Sequence, residues 1–293
     1  MNFYWLIGLI MLSQQVNMPE NVLITNDGET FSISNSADMS IYLSGLPFIN
    51  TEKFKEFMDQ IDKQVAKEPK NAILDKNGNI IPEQIGYHLD RQRFTEQIYS
   101  HYINNDSLHL QVPLQKIYPK VDSELLGNIR NEKIGRYETY FNEYNKERNK
   151  NIKLAAEAIN NFVLFPGEVF SFNQVVGKRT VEKGYKSAPV IINGKFSEDI
   201  GGGICQVSST LFNAMDNAGI EVISRYSHSR DVSYVPEGRD ATVSWDGPDL
   251  VFKNSYNQPI LIQANTLENK LIIEIYSSDV ITYMPKKVPY LQY

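Results

Sequence analysis

One stretch of the chain reads Gly201-Gly202-Gly203-Ile204-Cys205-Gln206-Val207-Ser208-Ser209-Thr210-Leu211-Phe212-Asn213-Ala214 and holds the only cysteine among 293 residues. Consecutive glycines allow backbone conformations with positive φ and leave room for a substrate to approach closely. Apolar residues then recur at spacings of three and four, which predicts a helix that starts at Cys205 and stops near Gly219. The stretch therefore predicts a cysteine in the first turn of a helix, behind a tight glycine turn.

This position of Cys205 has two interpretations. Free amide groups and the helix dipole favour a thiolate at a helix start, and a glycine turn with free amides can serve as an oxyanion site. The combination favours a nucleophile. The alternative is a structural cysteine packed under the glycine turn, because free cysteines are among the most buried residues.

A thiol nucleophile needs a base, and His228 is the only one of the four histidines that follows Cys205. It lies in a polar stretch between two predicted strands, at 220–223 and 241–245. A histidine in such a loop fits a thiol–imidazole pair. The alternative is an ordinary solvated loop residue.

A carboxylate that orients the imidazole would complete the group. Asp240 stands just before the second predicted strand and is the first candidate. Asp231 and Asp249 are rivals for the same role, and a plain turn residue is the alternative for Asp240. The sequence therefore predicts Cys205, His228 and Asp240 as the catalytic residues.

Several short blocks accompany this group along the second half of the chain. They are Arg148-x-x-Asn151-Ile152, Pro166-Gly167-Glu168-Val169-Phe170-Ser171-Phe172-Asn173, Val176-Gly177-Lys178-Arg179-Thr180, Gly184-Tyr185, the glycine–cysteine run, His228-Ser229 and Gly238-Arg239-Asp240-Ala241-Thr242-Val243. With these blocks in this order, the stretch from Arg148 to about Asp279 resembles the VanW family. Ser209 is a small departure, because family members usually carry threonine there, and it keeps the hydroxyl.

The resemblance implies an extracytoplasmic protein of Gram-positive-type bacteria. The family takes its name from an association with glycopeptide resistance. Some members look like peptidoglycan L,D-transpeptidases that use the cysteine of the glycine–cysteine run, which is Cys205 here. The implied partners are peptidoglycan stem peptides.

A wider set of residues is predicted to contact the substrate or its oxyanion. Backbone amides around the glycine–cysteine run would hold the oxyanion. An asparagine in the second block could bind a peptide backbone, with a core or turn role as its alternative. The predicted set is Gly202, Gly203, Gln206, Ser208, Asn173 and Arg239.

The predicted reaction is acyl transfer on peptidoglycan stems. Cys205 would attack the carbonyl of the third residue of a donor tetrapeptide, releasing the terminal D-alanine and leaving a thioester. A side-chain amine of a second stem would resolve the thioester into a 3-3 cross-link, whereas water would make the protein an L,D-carboxypeptidase or endopeptidase. The opposing class is a non-catalytic cell-envelope module that binds stem peptide or a glycopeptide, with Cys205 buried.

Composition excludes several other classes. The net charge of −6 is spread without a basic stripe, which argues against nucleic-acid binding. One cysteine excludes an intramolecular disulfide framework and a cysteine-based zinc cluster, and the histidines are too scattered for a metal site. Neither a Walker A motif nor a dinucleotide fingerprint occurs. We therefore expect no metal and no cofactor.

The N-terminus bears on localisation. Residues 3–12 are apolar, which is long enough for a signal-peptide core and too short to span a bilayer. No Lys or Arg precedes them, and the first basic residue is Lys53. The alternative is an apolar first strand of a cytosolic protein. We expect a protein secreted or membrane-anchored at the cell wall, with contact to the membrane surface through this segment; the oligomeric state stays open.

The predicted fold class is α+β in two globular parts. Residues 1–20 form a signal-like or anchor segment. Residues 21–130 form a small α+β domain similar to the peptidoglycan-binding domain that commonly precedes the VanW region. Residues 131–280 form a mixed α+β VanW domain, with an antiparallel sheet and the helix at Cys205. Residues 281–293 form a tail that we expect to fray.

Overall fold

The computed structural model of the chain describes residues 22–26, 29–34, 40–43, 46–104, 108–192 and 195–291. These residues fall into two compact units, one within Met1–Asn71 and Glu83–Lys120, the other within Ala72–Pro82 and Val121–Tyr293. Helices and antiparallel sheets together confirm the predicted α+β class. The apolar segment at 3–12 lies outside the described residues. In the part that is described, no helix is both long and apolar enough to cross a membrane.

The elements are numbered along the chain. The helices are α1 (Thr51–Val65), α2 (Arg91–Asn104), α3 (Ser123–Ile129), α4 (Lys146–Ile159), α5 (Phe172–Val176) and α6 (Ile204–Asn217). The strands are β1 (Val22–Asn26), β2 (Glu29–Ser34), β3 (Ser40–Leu43), β4 (Leu46–Ile49), β5 (Ile73–Leu74), β6 (Ile80–Ile81), β7 (Gly86–Leu89), β8 (Leu108–Gln111), β9 (Leu114–Ile117), β10 (Glu132–Tyr140), β11 (Phe162–Leu164), β12 (Val169–Ser171), β13 (Ser187–Ile192), β14 (Lys195–Ile200), β15 (Glu221–Ser224), β16 (Val251–Lys253), β17 (Ile260–Leu267) and β18 (Lys270–Ser277).

The first unit packs α1 and α2 against short strands. Phe54 of α1 stacks on Phe94 of α2 with ring centroids 6.2 Å apart, at the centre of its core. The N-cap of α1 is Asn50, whose side-chain oxygen accepts from the amides of Glu52 and Lys53. An asparagine side chain is among the preferred N-caps, because its oxygen accepts from the free amides of the first helical turn.

Residues 108–117 form two strands that pair with different partners. β8 pairs in parallel with β1, which also pairs antiparallel with β2, whereas β9 pairs antiparallel with β7. The break falls at Val112 and Pro113, because a proline has no amide to donate to a ladder.

The second unit is built on the antiparallel sheet β10-β18-β17-β11. Along β18 the buried residues alternate with partly exposed ones, as expected for a strand with one face in the core. Helices α6 and α4 pack on this sheet, α6 against β10 and β18 and α4 against β17. A second sheet, β12-β16-β15, and the hairpin β13-β14 complete the framework around the start of α6.

Strands β5 and β6 form a hairpin around Asn77-Gly78, and Gly78 has the positive φ of 81° that such a turn needs. It belongs to the second unit. The side chain of Asn161 holds it there, since this side chain accepts from the Leu74 amide at 2.9 Å and donates to the Leu74 carbonyl at 3.0 Å.

The strand predicted over 241–245 is not formed. Ala241 and Val243 are buried, which explains the alternating pattern. This segment lies against α6 and does not pair with a neighbouring strand. Side chains of α6 form hydrogen bonds with its backbone groups. The Ala241 amide donates to Ser209 Oγ at 2.8 Å, and the Ala241 carbonyl accepts from Ser208.

The expectation of a frayed tail is wrong for the described residues up to 291. The Lys286 amide donates to the Asn217 carbonyl at 3.0 Å. Tyr290 stacks on Tyr137 with centroids 4.5 Å apart, and the Tyr137 hydroxyl donates to the Pro289 carbonyl at 2.9 Å. Backbone hydrogen bonds of Lys286 and Pro289 and the ring of Tyr290 therefore fix the tail onto the second unit.

We expect Gly135→Ala to destabilise the second unit. Gly135 lies where the register of β10 shifts, and a Cβ there would be 2.5 Å from the Ala214 carbonyl oxygen and 2.8 Å from the Ala218 Cβ. Because both atoms belong to the α6 region, the helix must move, at a cost of about 1–3 kcal/mol in unfolding free energy. Denaturant unfolding measures this loss.

Gly127→Ala is the matched control, because Gly127 lies in α3 and the nearest atom to an added Cβ is 3.8 Å away. Alanine should stabilise this helix by about 0.5–1 kcal/mol. Equal effects of the two substitutions would contradict the close approach of β10 and α6.

Candidate functional site

Helix α6 begins at Ile204, so that Cys205 is its second residue and is partly exposed. Its N-cap is Gly203, which has a φ of 104° and offers no side-chain cap. Most of the helix is buried, including several polar side chains, and it ends before Gly219 with its positive φ of 75°. The first turn therefore presents the thiol at the open end of an otherwise enclosed helix.

The glycines before Cys205 leave no room for side chains. A Cβ at Gly202 would lie 2.4 Å from the Ala188 carbonyl oxygen, and Gly201 has a φ of 94°. The buried side chain of Asn151 donates to the Gly202 carbonyl at 3.0 Å. The turn is thus held between β13 and α4, and it fixes the start of α6.

The structure brings His228 and Asp240 together. The His228 Nδ1 lies 2.6 Å from Asp240 Oδ2, and the His228 amide donates to the same oxygen at 2.6 Å. Only 7% of the His228 side chain and 9% of the Asp240 side chain are exposed. With Nδ1 bonded to the carboxylate, Nε2 is the ring nitrogen left for proton transfer.

Cys205 completes this group. Burial alone would raise the pKa of its thiol, but the interaction with His228, together with contacts to the Val243 backbone and the Thr242 hydroxyl, lowers the pKa below its ordinary value. The Sγ lies 3.5 Å from the Val243 carbonyl oxygen. The site therefore favours a thiolate.

The pKa values of His228 and Asp240 are also shifted, in the directions that stabilise the thiolate. Burial would lower the pKa of His228, yet the hydrogen bond and charge of Cys205 and then of Asp240 raise it. Burial would raise the pKa of Asp240, and hydrogen bonds from the backbone and ring of His228 lower it. These shifts together stabilise a thiolate–imidazolium pair backed by a carboxylate.

The rival carboxylates do not contact His228. Asp231 is exposed. Asp249 accepts from the Ser171 hydroxyl at 2.6 Å and from the Asn173 amide at 2.9 Å, so it anchors the start of α5.

Helix α6 also holds the segment that carries Asp240. Ser208 and Ser209 follow Cys205 by three and four residues and therefore share its face of the helix. Ser208 donates to the Ala241 carbonyl, and Ser209 accepts from the Ala241 amide. One turn further, the Asn213 side chain donates to the carbonyl before Asp240 at 2.8 Å. The Ser209 hydroxyl thus binds the Ala241 amide. One face of α6 positions both the Cys205 thiol and the Asp240 carboxylate.

Two backbone amides at the helix start are free to bind an oxyanion. The Ile204 amide donates to the Gly201 carbonyl at 3.2 Å, and the Gln206 amide donates to the Gly203 carbonyl at 3.0 Å. The amides of Gly203 and Cys205 have no acceptor among the residues that the structure describes. Free amides of this kind are typical of a helix start.

Gly202 and Gln206 have other partners than an oxyanion. The Gly202 amide donates to the Asp199 carbonyl at 3.3 Å. The Gln206 side chain is buried and donates to the Thr139 hydroxyl at 3.0 Å and to the Tyr140 carbonyl at 2.9 Å. Both residues therefore stabilise the start of α6 through these hydrogen bonds.

Asn173 holds a loop. Its side-chain nitrogen donates to the carbonyls of Ser244 and Pro248, at 2.8 and 3.0 Å. Its side-chain oxygen is buried without a hydrogen-bond partner. These contacts fit the alternative role of Asn173 as a core or turn residue.

Arg239 points along α6 and away from the thiol. Its guanidinium donates to Asn213 and to Asp216, both at 2.7 Å, and lies 4.7 Å from the Phe212 ring centre. Asn213 is about 12 Å along the helix axis from Cys205. Arg239 thus connects the segment that carries Asp240 to the C-terminal half of α6.

Three residues near the thiol were missed as site residues. The charges of Arg148 and Arg179 interact with Cys205, and Tyr234 also interacts with the thiolate while its side chain bonds to Ser209. Burial raises the pKa of Tyr234, which keeps its hydroxyl neutral. Both arginines lie in the sequence blocks that resemble the VanW family, and this position is the signal that could have identified them as site residues.

Family models match both halves of the chain. A model described as VanW like protein matches residues 147–276, and a model of a peptidoglycan binding domain matches residues 20–109. The site described above lies wholly within the first of these matches.

Two relatives extend the likeness. The chain is 51% identical to "Uncharacterized protein YoaR" of Bacillus subtilis (strain 168) over 96% of this chain and 93% of that protein. It is 31% identical to "Vancomycin B-type resistance protein VanW" of Enterococcus faecalis (strain ATCC 700802 / V583), over 46% of this chain and 50% of that protein. A solved structure titled "Structure of the Ldtfm-avibactam carbamoyl enzyme" is 12% identical, over 64% of this chain and 72% of that chain, with a TM-score of 0.26. That likeness is too weak to indicate a common fold.

We expect Cys205 in the folded chain to react with iodoacetamide below neutral pH, where an ordinary thiol is protonated. His228→Gln removes the main group that lowers the thiol pKa, and burial then raises that pKa. The alkylation of this variant should therefore begin at higher pH than that of wild type. Mass spectrometry follows the rate against pH, and because Cys205 is the only cysteine, the labelling reports on this site alone.

His88→Gln is the control, because His88 lies in the first unit and bonds to Asp62. It should leave the profile unchanged. A wild-type profile that matches the unfolded chain would contradict the thiolate–imidazolium pair.

Proposed function

This chain belongs to the VanW family, and on that premise we propose that it is a cysteine-dependent L,D-transpeptidase of the cell wall. The two matched domains associate the chain with the cell wall and with peptidoglycan. One observation carries the catalytic part of the proposal: a partly exposed thiol is paired with a buried histidine–carboxylate couple at a helix start. Nucleophile, base and orienting carboxylate in this order are what acyl transfer requires.

In the first half-reaction the Cys205 thiolate attacks the carbonyl carbon of the third residue of a donor tetrapeptide. The oxygen becomes an oxyanion, which the amides of Gly203 and Cys205 stabilise. The C–N bond to the terminal D-alanine then breaks, and the His228 imidazolium gives its proton to the leaving amine. A thioester and a neutral imidazole remain.

In the second half-reaction an acceptor amine attacks the thioester. Neutral His228 takes the amine proton, the new C–N bond forms, and the C–S bond breaks to restore the thiolate. The product is a 3-3 cross-link between two stems. Water in place of the amine gives an L,D-carboxypeptidase with the same residues. Asp240 stabilises the imidazolium that forms after each turnover and keeps the ring oriented.

The peptidoglycan-binding domain that is matched at residues 20–109 holds the chain on peptidoglycan in this proposal. That function places the protein outside the cytoplasmic membrane, secreted or anchored there by the apolar segment at 3–12. The residues present fit a reaction that needs no cofactor, because the nucleophile, base and oxyanion donors are all part of the chain.

Purified protein incubated with wall stem tetrapeptides should give a Cys205 acyl adduct that lacks the terminal D-alanine. Intact-protein mass spectrometry detects the adduct, and peptide mapping assigns it to Cys205. Cys205→Ala should give no adduct and no cross-linked dimer, since no other thiol is present. His228→Gln should lower turnover about 10²–10⁴-fold, the range for a lost general base.

Two outcomes would contradict the proposal. Full turnover by Cys205→Ala would remove the nucleophile from the mechanism. Binding of stem peptide without an adduct, together with an unreactive thiol, would instead identify a non-catalytic envelope module. The melting temperature of Cys205→Ala separates loss of chemistry from loss of fold.

A further inference from the structure

Two arginines lie beside the glycine turn that precedes Cys205. Both terminal guanidinium nitrogens of Arg179 are buried and have no hydrogen-bond partner among the residues that the structure describes. Arg148 is partly exposed, and its side chain makes no hydrogen bond or ion pair with any residue in the described ranges. An unpaired buried charge is costly to a fold, so such a group calls for a ligand that completes it.

The glycine turn places these arginines. A Cβ at Gly201 would lie 3.3 Å from the Cβ and Cγ of Arg179, and a Cβ at Gly203 would lie 2.8 Å from the Cγ of Arg148. The two aliphatic stems therefore pack directly on the turn that precedes Cys205. The charges of both arginines also interact with the thiolate, in keeping with the position of their stems on this turn.

The surroundings do not neutralise this pair of charges. Burial is the largest influence on both arginines and lowers the pKa of each. Asp249 is the carboxylate that interacts with Arg179, but it is bonded to Ser171 and Asn173. The Phe172 ring lies 5.7 Å from the guanidinium carbon of Arg179 and offers a flat surface to it. The site thus has two forked donors and no acceptor, which matches a carboxylate.

We propose that Arg148 and Arg179 form a subsite for the C-terminal carboxylate of the residue that leaves during acylation. In a peptide that ends one residue after the reacting carbonyl, the terminal carboxylate is about one residue repeat away, roughly 3.8 Å. A carboxylate held on the two arginines therefore sets that carbonyl over Cys205. The substrate class is a peptide with a free C-terminal carboxylate one residue beyond the scissile bond, and the released product is a free amino acid.

This inference rests on the proposed acyl transfer, but a test that involves no peptidoglycan is available. Iodoacetate and iodoacetamide alkylate a thiolate by the same displacement of iodide, and only iodoacetate carries a carboxylate. The ratio of their rates at one pH cancels any change in the thiolate fraction. The folded chain should show a ratio at least about tenfold higher than the unfolded chain, since hydrogen bonds to charged groups are strong.

Arg179→Gln and Arg148→Gln should each lower this ratio towards the unfolded value. Lys178→Gln is the matched control, because Lys178 is exposed and adjacent to Arg179 in the chain. It removes the same charge and should leave the ratio unchanged. A wild-type ratio equal to that of the unfolded chain would overturn the proposal, as would an equal loss in all three variants.

A second measurement needs no variant. Acetate or D-alanine should protect wild-type Cys205 from iodoacetamide, and chloride at the same ionic strength should not. Absence of protection by either carboxylate would count against the subsite. A tetrapeptide and its C-terminal amide then separate the two proposals. Equal turnover of both peptides would overturn the subsite and leave the transpeptidase standing. A high alkylation ratio without turnover of any stem would do the reverse.

Discussion

The absence of side chains at Gly201, Gly202 and Gly203 is the constraint on which the candidate site depends. At Gly202 the Ala188 backbone comes within 2.4 Å of where a Cβ would stand, and at Gly203 the Arg148 Cγ comes within 2.8 Å. At Gly201 the nearest atom is the Ile204 Cδ1 at 2.9 Å, and the φ of 94° disfavours a residue with a side chain. Because this turn leads directly into α6, it decides where the thiol lies and which charges surround it.

The position of α6 in turn fixes the positions of the other site residues. Its polar face holds the segment that carries Asp240 through Ser208 and Ser209, and Asp240 in turn holds both the ring and the backbone of His228. Burial makes the electrostatics strong, since charges attract more in a poorly solvated site than in water. The thiolate, the imidazolium and the carboxylate therefore stabilise one another, and two unpaired arginines add positive charge on the open side.

Local patterns in the sequence predicted much of this. The alternation of β18 reflects burial on one face, and the apolar spacing of α6 indicated a helix although nearly all of that helix is buried. A lone cysteine behind glycines is informative chemistry in itself. Contacts between distant residues could not be predicted. The sequence left three carboxylates open for His228, of which Asp240 is the one in contact. It indicated a strand at 241–245, where burial alternates without a ladder. It gave no sign that Arg179 lacks a partner, because that depends on every group folded around it.

The titration of His228 by NMR, in wild type and in Cys205→Ala, tests most directly whether the thiol and the imidazole share a charge. The thiolate raises the pKa of His228, and coupled groups titrate as a pair. Removal of the sulfur should therefore lower the pKa of His228 while its contact with Asp240 persists. An imidazole that titrates at the same pH in both proteins would show that Cys205 and His228 are not coupled, and would contradict the account.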